Sequence, residues 1–253
     1  MCSSDLGDRV LEIGPGLGAL TEGLLRVAGR VVAVEIDPRL VEALREVVGG
    51  HPRLVLVHGD ALAVDLAALR ATYGLNKVVA NLPYAVTSPL LMRLLELDGG
   101  WELLLLMVQR EVAERLAAEP GTPAYGGLTA AVRFYAEVEP VGVVSRHVFY
   151  PRPEVDSALV RLRPRPFPVL LPDPRAYFRV VRAAFGQRRK TLRNALRAAG
   201  WTEAQVDEAL AATGIDGGVR GETLPPEALA RLAQALPAGP SRSGGIMERD
   251  DGP

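Results

Sequence analysis

The chain contains almost no cysteine and no long apolar run. Cys2 is the only cysteine among 253 residues, so no disulfide can form within the chain. No apolar run approaches the roughly 20 residues that a membrane span requires, and the longest, residues 103–108, is typical of a buried strand. No charged and apolar leader opens the sequence, so we expect a cytoplasmic protein that is not secreted. What remains is a globular class with a substantial core, because 48% of the residues are hydrophobic.

Clustered metal ligands are also missing. His51, His58 and His147 do not group with cysteines or acids at the spacing of metal ligands, so we expect no metal.

Acidic residues are absent from one long stretch. The net charge of -1 alone argues against a polyanionic partner, yet residues 175–197 contain many arginines and no acid. Such asymmetry is typical of surfaces that bind phosphate backbones, although a solvated helix face is an alternative. The residues predicted to contact nucleic acid are Arg182, Arg188, Arg189, Lys190 and Arg193.

Apolar runs and amphipathic segments alternate over the first two thirds of the chain, which predicts an α/β fold with a mostly parallel sheet. The predicted strands are residues 10–13, 31–36, 54–57, 77–80 and 103–108, and the predicted helices are 20–27, 39–48, 89–97 and 111–118. Ser88 and Pro89 form a typical helix start. Two later β-rich runs, 138–144 and 157–162, predict an antiparallel edge.

A proline-rich linker, residues 163–168, separates this part from a helical one. We predict an α/β domain over residues 1–165 and a small all-helical domain over 166–236, with helices at 174–184, 188–199, 202–212 and 225–236. Residues 237–253 are rich in Gly, Ser, Pro and charge, which predicts a disordered tail.

A glycine-rich turn follows the first predicted strand. The turn passes from Glu12 through Gly14 and Gly16 into a helix, so a ligand can approach the backbone and meet free amide donors. The second strand ends at Glu35, whose carboxylate can hold both hydroxyls of a ribose, and Asp60 follows the third, placed to accept from an adenine amine. Open α/β sheets bind ligands at these strand ends, so the pattern predicts a nucleotide-like cofactor.

Two cofactor classes fit this turn. The glycines and Ala19 also satisfy the relaxed dinucleotide pattern with an acid about 20 residues on, so an NAD-dependent dehydrogenase is an alternative. Glu12, Asp60 and Asn81 favour S-adenosylmethionine over NAD.

The tetrapeptide Asn81-Leu82-Pro83-Tyr84 follows the fourth predicted strand. The Asn81 side-chain oxygen and the Leu82 carbonyl, turned outward by Pro83, can accept both protons of an adenine amine while Tyr84 stacks on the base. Because that amine is a poor nucleophile, acceptors that draw electrons back onto its nitrogen predict a transfer reaction there. An ordinary strand-to-helix turn is the alternative.

Seven segments together resemble the ribosomal RNA adenine dimethyltransferases of the small-subunit (KsgA) type. The segments are residues 10–16 (VLEIGPG), 34–37 (VEID), 59–61 (GDA), 81–84 (NLPY), 108–113 (VQREVA), 149–158 (FYPRPEVDSA) and 189–196 (RKTLRNAL). The resemblance runs from about residue 7 to residue 236.

The resemblance implies a Rossmann-like class I methyltransferase sheet with a helical RNA-binding domain. The expected substrate is a pair of adjacent adenines near the 3' end of small-subunit rRNA, each receiving two methyl groups, in an immature small ribosomal subunit bound by a monomer. Gly14, Glu35, Asp60 and Asn81 would contact S-adenosylmethionine. The adenine ring of the cofactor would lie between Ile36 and Ala61, and the target base would face Phe149 opposite Tyr84.

The chain departs from this family in two places. Family members carry a further segment before the first strand that closes over the cofactor, and residues 1–6 match none of it, so we expect that segment to be missing. Ala85 stands where many relatives have Asn. Modification of large-subunit RNA, as in macrolide resistance, and a non-catalytic RNA-binding role in transcription or ribosome assembly are the alternatives within the family.

Overall fold

The computed structural model of the protein describes residues 7–97, 100–171, 173–187 and 189–238. Within these ranges, seven strands form one sheet in the order β3-β2-β1-β4-β5-β7-β6. The strands are β1 (Arg9–Ile13), β2 (Arg30–Glu35), β3 (Leu54–His58), β4 (Lys77–Asn81), β5 (Leu103–Gln109), β6 (Ala136–Val144) and β7 (Ser157–Pro164). β1 to β5 pair in parallel, whereas β7 runs antiparallel to β5 and to β6. The predicted parallel sheet with an antiparallel edge is confirmed.

The order of the strands reverses next to β1. The chain passes outward from β1 through β2 to β3 and then returns to β4 on the other side of β1. Val10, Leu11 and Val31 are fully buried, as expected for central parallel strands that helices cover on both faces. A reversal of this kind opens a crevice beyond the carboxyl ends of β1 and β4, where doubly wound sheets bind ligands.

One α-helix follows each of the strands β1 to β5 along the chain: α1 (Ala19–Val27), α2 (Pro38–Val48), α3 (Leu66–Tyr73), α4 (Thr87–Leu95) and α5 (Arg110–Ala117). The sequence prediction missed α3, which is short. Its end signals are present, because the Asp65 carboxylate accepts from the Ala68 amide at 2.9 Å and Gly74 ends the helix in the left-handed region at φ 63°.

The start predicted for α4 at Ser88 and Pro89 is wrong. A 3-10 turn over Tyr84–Val86 runs directly into the helix, which begins at Thr87. The Thr87 hydroxyl donates to the Pro83 carbonyl at 3.0 Å. Ser88 therefore lies inside the first turn and does not cap the helix.

The chain divides into two compact units. The first comprises the residues up to Ala113 and Ala136–Arg165, and the second comprises Glu114–Tyr135 and the residues from Pro166 onward. The helices of the second unit are α6 (Gly127–Tyr135), α7 (Pro174–Phe185), α8 (Leu192–Ala198), α9 (Glu203–Thr213) and α10 (Pro226–Ala235). The domain predicted over residues 1–165 thus includes residues 114–135, which the structure places in the helical unit.

Helix α6 explains this difference. Six of its nine residues are buried, and it follows directly on the Gly- and Pro-rich residues 120–127, whose composition is typical of a loop. The Phe134 ring stacks on the Tyr177 ring of α7 with 4.8 Å between centroids, and the buried Tyr177 hydroxyl donates to the Ala130 carbonyl at 2.9 Å. These contacts join α6 to the second unit.

The structure describes only the first residues of the predicted tail. Of the tail predicted to be disordered, residues 239–253 lie outside the described residues, and the Pro237 carbonyl accepts a hydrogen bond from Trp201 Nε1 at 3.1 Å.

No helix within the described ranges has the length and apolar character that crossing a membrane requires.

Tyr177→Phe should lower the free energy of unfolding by about 1 kcal/mol, because it removes a buried hydrogen bond to the Ala130 carbonyl of α6. Urea denaturation measures the loss. Tyr73→Phe is the matched control, since the half-buried Tyr73 hydroxyl makes no hydrogen bond to the described residues. Equal stability of the two variants would contradict the role assigned to the Tyr177 hydroxyl.

Candidate functional site

The glycine turn after β1 adopts a backbone that requires glycine. Gly14 and Gly18 have φ of 65° and 92°, in the left-handed region. The Gly14 amide donates to the Val34 carbonyl at 3.0 Å, which fixes the turn to β2. A Cβ on Gly18 would lie 2.5 Å from Leu44 Cδ1, so glycine there permits close packing of α2.

The tetrapeptide at residues 81–84 lies against this turn. A Cβ built on Gly14 would be 3.8 Å from the Asn81 carbonyl oxygen and 4.0 Å from Pro83 Cγ. The parallel pairing of β1 with β4 produces this proximity, since both strands end at the same edge of the sheet. The two motifs that the sequence predicts to share a site are therefore neighbours.

Two oxygens of the tetrapeptide have no hydrogen-bond partner among the described residues. Asn81 is exposed at the end of β4, and no described residue hydrogen-bonds its side-chain amide or the Leu82 carbonyl. The Leu82 side chain is buried and its amide donates to the Met107 carbonyl at 3.0 Å, so the backbone is anchored. The two oxygens are available as hydrogen-bond acceptors on a fixed backbone.

Tyr84 is held by a residue far away in the chain. Its hydroxyl lies 3.0 Å from the hydroxyl of Ser157, a buried residue at the start of β7. No sequence signal links the two residues. The contact leaves 36% of Tyr84 exposed, so part of the ring remains accessible.

Phe149 lies in the connection between β6 and β7. The Asp156 carboxylate accepts from the Arg146 amide at 3.0 Å, and the Asp156 carbonyl accepts from the Arg110 amide at 3.0 Å, which fixes both ends of this loop. Ser157, the partner of Tyr84, follows Asp156 directly. Within the described ranges, neither Tyr84 nor the half-buried Phe149 pairs with another aromatic ring.

Glu35 is buried and holds three backbone amides. Its carboxylate accepts from Gly16 at 3.2 Å, from Ile36 at 2.9 Å and from Asp37 at 3.0 Å. The oxygen that binds Gly16 retains acceptor capacity, because the other oxygen accepts from both Ile36 and Asp37 and each oxygen offers about two lone-pair sites. The neighbouring Ile36 is 62% exposed, which is unusual for a large aliphatic side chain and provides a flat apolar surface beside the carboxylate.

Asp60 lies beside Glu35, since the Gly59 amide donates to the Glu35 carbonyl at 2.8 Å. One Asp60 carboxylate oxygen accepts from the Leu62 amide at 2.8 Å, and the other has no hydrogen bond to a described residue. Ala61 follows with its small side chain buried. The predicted cofactor residues of all four strand ends thus occur at one edge of the sheet.

Glu12 is a buried carboxylate that makes no hydrogen bond of ordinary length and angle to the described residues, although the Thr21 hydroxyl lies near it. Burial raises its pKa from 4.5 to about 7, and the Thr21 hydroxyl offsets part of this effect. An unpaired acid of this kind, two residues before Gly14, suits a cationic group. Thr21, which sequence reasoning missed, is also buried.

The predicted nucleic-acid residues differ in their surroundings. Arg193 forms an ion pair with Asp207 of α9, and Arg197 pairs with Glu203 at 3.4 Å. The missing acids are therefore supplied by another helix, which the charge of one segment could not reveal. Arg182 is exposed on α7, Arg188 lies outside the described residues, and Arg189 and Lys190 are exposed without an ion pair to the described residues.

Glu12 should make stability depend on pH. The unfolded chain loses this proton near 4.5 and the folded chain near 7, so the folded chain binds more protons between those values. The free energy of unfolding should therefore fall as pH rises from about 5 to about 7, by an amount on the order of 3 kcal/mol, and level off above.

Urea denaturation of Glu12→Gln at several pH values measures this contribution as a difference from the natural chain. Glu22→Gln on the exposed face of α1 is the matched control. An unchanged pH slope in Glu12→Gln would show that Glu12 is not the titrating group.

The comparisons of this chain with known proteins all indicate the same protein family. The family model "Ribosomal RNA adenine dimethylase" matches residues 6–237. The chain is 49% identical over 242 residues to Ribosomal RNA small subunit methyltransferase A of Moorella thermoacetica, covering 91% of this chain and 83% of the relative. It is 48% identical over 242 residues to the protein of that name from Pelotomaculum thermopropionicum, covering 90% and 82%.

Two solved structures share the fold over most of their length. A dimethyladenosine transferase from Plasmodium falciparum superposes with a TM-score of 0.77 at 26% identity, covering 91% of this chain and 90% of that one. The 23S rRNA methyltransferase ErmE superposes with a TM-score of 0.69 at 32% identity, covering 92% of each. The sheet is thus the Rossmann-like methyltransferase sheet that the sequence predicts, and the chain belongs to the ribosomal RNA adenine dimethylase family.

Proposed function

We propose that the protein transfers methyl groups from S-adenosylmethionine to the exocyclic amines of two adjacent adenines near the 3' end of 16S rRNA, giving dimethyladenosines during ribosome biogenesis. One observation carries the chemical part: the tetrapeptide that carries the free oxygens of Asn81 and Leu82 lies against the Gly14 turn, with the Asn81 backbone carbonyl 3.8 Å from a Cβ position on Gly14. Family membership supports the reaction type. The names of the relatives at 48% and 49% identity support the small subunit as substrate.

The residues around the glycine turn fit the cofactor. The Glu35 oxygen that binds Gly16 can also accept from a ribose hydroxyl, the free oxygen of Asp60 can accept from an adenine amine, and the ring can lie between Ile36 and Ala61. The buried carboxylate of Glu12 suits the positive charge of the amino-acid end. S-Adenosylmethionine supplies a methyl group on a positively charged sulfur.

The target amine is activated by position and by acceptors. The lone pair of this nitrogen is delocalised into the ring, and two hydrogen bonds, to Asn81 Oδ1 and to the Leu82 carbonyl, draw it back onto the nitrogen. The nitrogen becomes acidic only as the new bond forms, so its proton can pass to water without a strong base. A neutral Asn81, unlike a carboxylate, leaves room for a monomethylated amine in a second round.

Tyr84 and Phe149 hold the extruded base. Extrusion costs a few kcal/mol of stacking, which ring contacts and phosphate contacts offset. The Ser157 hydroxyl fixes the Tyr84 ring, so the ring is oriented before the base arrives. Arg182, Arg188, Arg189, Lys190 and Arg193 bind the RNA backbone, with Arg189 and Lys190 the most available of the described ones.

The alternatives fit less well. Modification of large-subunit RNA is supported by the ErmE structure, but at 32% identity against 48% and 49% for the small-subunit relatives. A non-catalytic RNA-binding factor has no use for Glu35, Asp60 and Asn81 in their present arrangement. A dehydrogenase would need NAD, whereas the chain belongs to a methyltransferase family. We further propose a cytoplasmic monomer that acts on an immature small subunit.

Asn81→Ala should reduce methyl transfer at least a hundredfold, because one acceptor for the amine is lost. The assay incubates the variant with labelled S-adenosylmethionine and unmethylated small ribosomal subunits and then maps the modified bases. The thermal midpoint should not change, since the Asn81 side chain is exposed and unbonded. Tyr84→Phe is the comparison variant, because it keeps the ring and loses only the Ser157 contact, and it should lose much less activity than Asn81→Ala.

Normal methylation by Asn81→Ala would remove Asn81 from the mechanism. Modification of large-subunit RNA alone by the natural chain would instead favour the ErmE-like alternative. Absence of any methyl transfer, with cofactor binding also absent, would favour the non-catalytic role.

Reversal of Arg189 and Lys190 to Glu should weaken RNA binding by orders of magnitude at low salt and reduce its salt dependence, because fewer counterions are released. Filter binding to the small-subunit RNA over a range of salt measures both effects. Arg26→Glu with Arg45→Glu, on α1 and α2, changes the charge equally and is the control. Equal weakening by the two pairs would indicate a response to overall charge and not a binding site.

A further inference from the structure

Arg93 connects two parts of the methyltransferase site and has no assigned role. It lies on α4, the helix that begins immediately after the Tyr84–Val86 turn. Its guanidinium donates through Nη1 to the Leu62 carbonyl and through Nη2 to the Val64 carbonyl, the latter at 2.7 Å. Both carbonyls belong to the loop that follows β3 and carries Asp60 and Ala61.

Hydrogen bonds inside the loop use its amides and leave the Leu62 and Val64 carbonyls to Arg93. The Ala63 and Val64 amides both donate to the Asp60 carbonyl at 2.8 Å, and the Leu62 amide donates to the Asp60 side chain, so the amides of the turn point inward. The Leu62 and Val64 carbonyls are left to bind outside the turn. Arginine suits this task, because its planar guanidinium presents several donors in a fixed fork.

The helix that carries Arg93 is held in the core. Leu90, Leu91 and Leu94 of α4 are buried, and the Thr87 hydroxyl ties the start of the helix to the Pro83 carbonyl. Arg93 therefore links a core helix to a surface loop through hydrogen bonds. The Asp60 loop is fixed relative to the same helix that follows the tetrapeptide.

We infer that Arg93 is a positioning residue for the cofactor: by holding the Leu62 and Val64 carbonyls it sets the free Asp60 oxygen where the adenine amine of S-adenosylmethionine binds. This inference rests on the proposed function. The Arg93 guanidinium is bound to the two carbonyls, so in this role it acts through the loop and not on the cofactor or the target base. Its loss should therefore affect recognition of the adenine more than the transfer step.

The test compares two ligands that differ only at the purine. S-Adenosylhomocysteine carries the exocyclic amine that Asp60 accepts, and S-inosylhomocysteine carries an oxygen in its place. The natural chain should bind the adenosyl ligand about tenfold more tightly, the value of one good hydrogen bond to a charged acceptor. Calorimetry gives the two dissociation constants, and their ratio is the readout.

In Arg93→Met, which keeps an unbranched side chain and removes every donor, this ratio should fall towards one while binding of the adenosyl ligand weakens about tenfold. Arg93→Lys should recover part of the ratio, because an ammonium can still donate to the carbonyls. Adding Asp60→Ala to Arg93→Met should cause little further loss, since residues that act through one contact are not additive.

Arg53→Met is the matched control, because Arg53 Nη1 also donates to a backbone carbonyl of this unit, that of Ala28, at 3.0 Å. It should leave both dissociation constants unchanged.

Three outcomes would overturn the inference. The first is an unchanged ratio in Arg93→Met with unchanged affinity. The second is an equal loss of affinity for both ligands, which would indicate general destabilisation. The third applies if Arg93→Met does not fold. It is an unchanged ratio of dissociation constants in Arg93→Lys, together with losses of affinity in Arg93→Lys and Asp60→Ala that add in the double variant. Failure of the natural chain to bind either ligand would instead refute the proposed function, and the role of Arg93 with it.

Discussion

The parallel pairing of β1 with β4 brings the Gly14 turn against the Asn81 carbonyl, at 3.8 Å from a Cβ position on Gly14. Each part of the proposed chemistry depends on that contact. The glycine turn and Glu35 form one side of the crevice, and the tetrapeptide forms the other. A side chain at Gly14 would project towards Asn81, and its left-handed backbone would be strained as well.

The site consists mainly of acceptors fixed in advance. Glu35 is oriented by three amides, Asp60 by its own turn and by Arg93, and Leu82 by its bond to Met107. Oxygens that are held before the substrate arrives need no reorganisation during the reaction, which is the largest advantage such groups offer. A transfer from a positively charged donor to a neutral amine also needs no strong base. The side chains at the described strand ends are carboxylates and an amide, which can accept hydrogen bonds from the two substrates.

The sequence predicted the parts of the fold that depend on local pattern. Apolar runs predicted the sheet and its antiparallel edge, and Glu35, Asp60 and Asn81 could be placed at strand ends because each follows such a run. Helix α6 was missed because it follows directly on a Gly- and Pro-rich stretch, and α4 begins at Thr87 because a 3-10 turn precedes it. The roles of the site residues stay predictions. The bond of Tyr84 to Ser157, the Arg193 pair with Asp207 and the Arg93 contacts join residues distant in the chain, and no local signal marks them.

The most direct test is a crystal structure of the chain with S-adenosylhomocysteine and an adenine nucleoside bound together. The account predicts that the exocyclic nitrogen of the nucleoside lies about 3 Å from both Asn81 Oδ1 and the Leu82 carbonyl oxygen and faces the sulfur. A nucleoside bound elsewhere, or one whose amine meets neither oxygen while the cofactor product occupies the glycine turn, would contradict it.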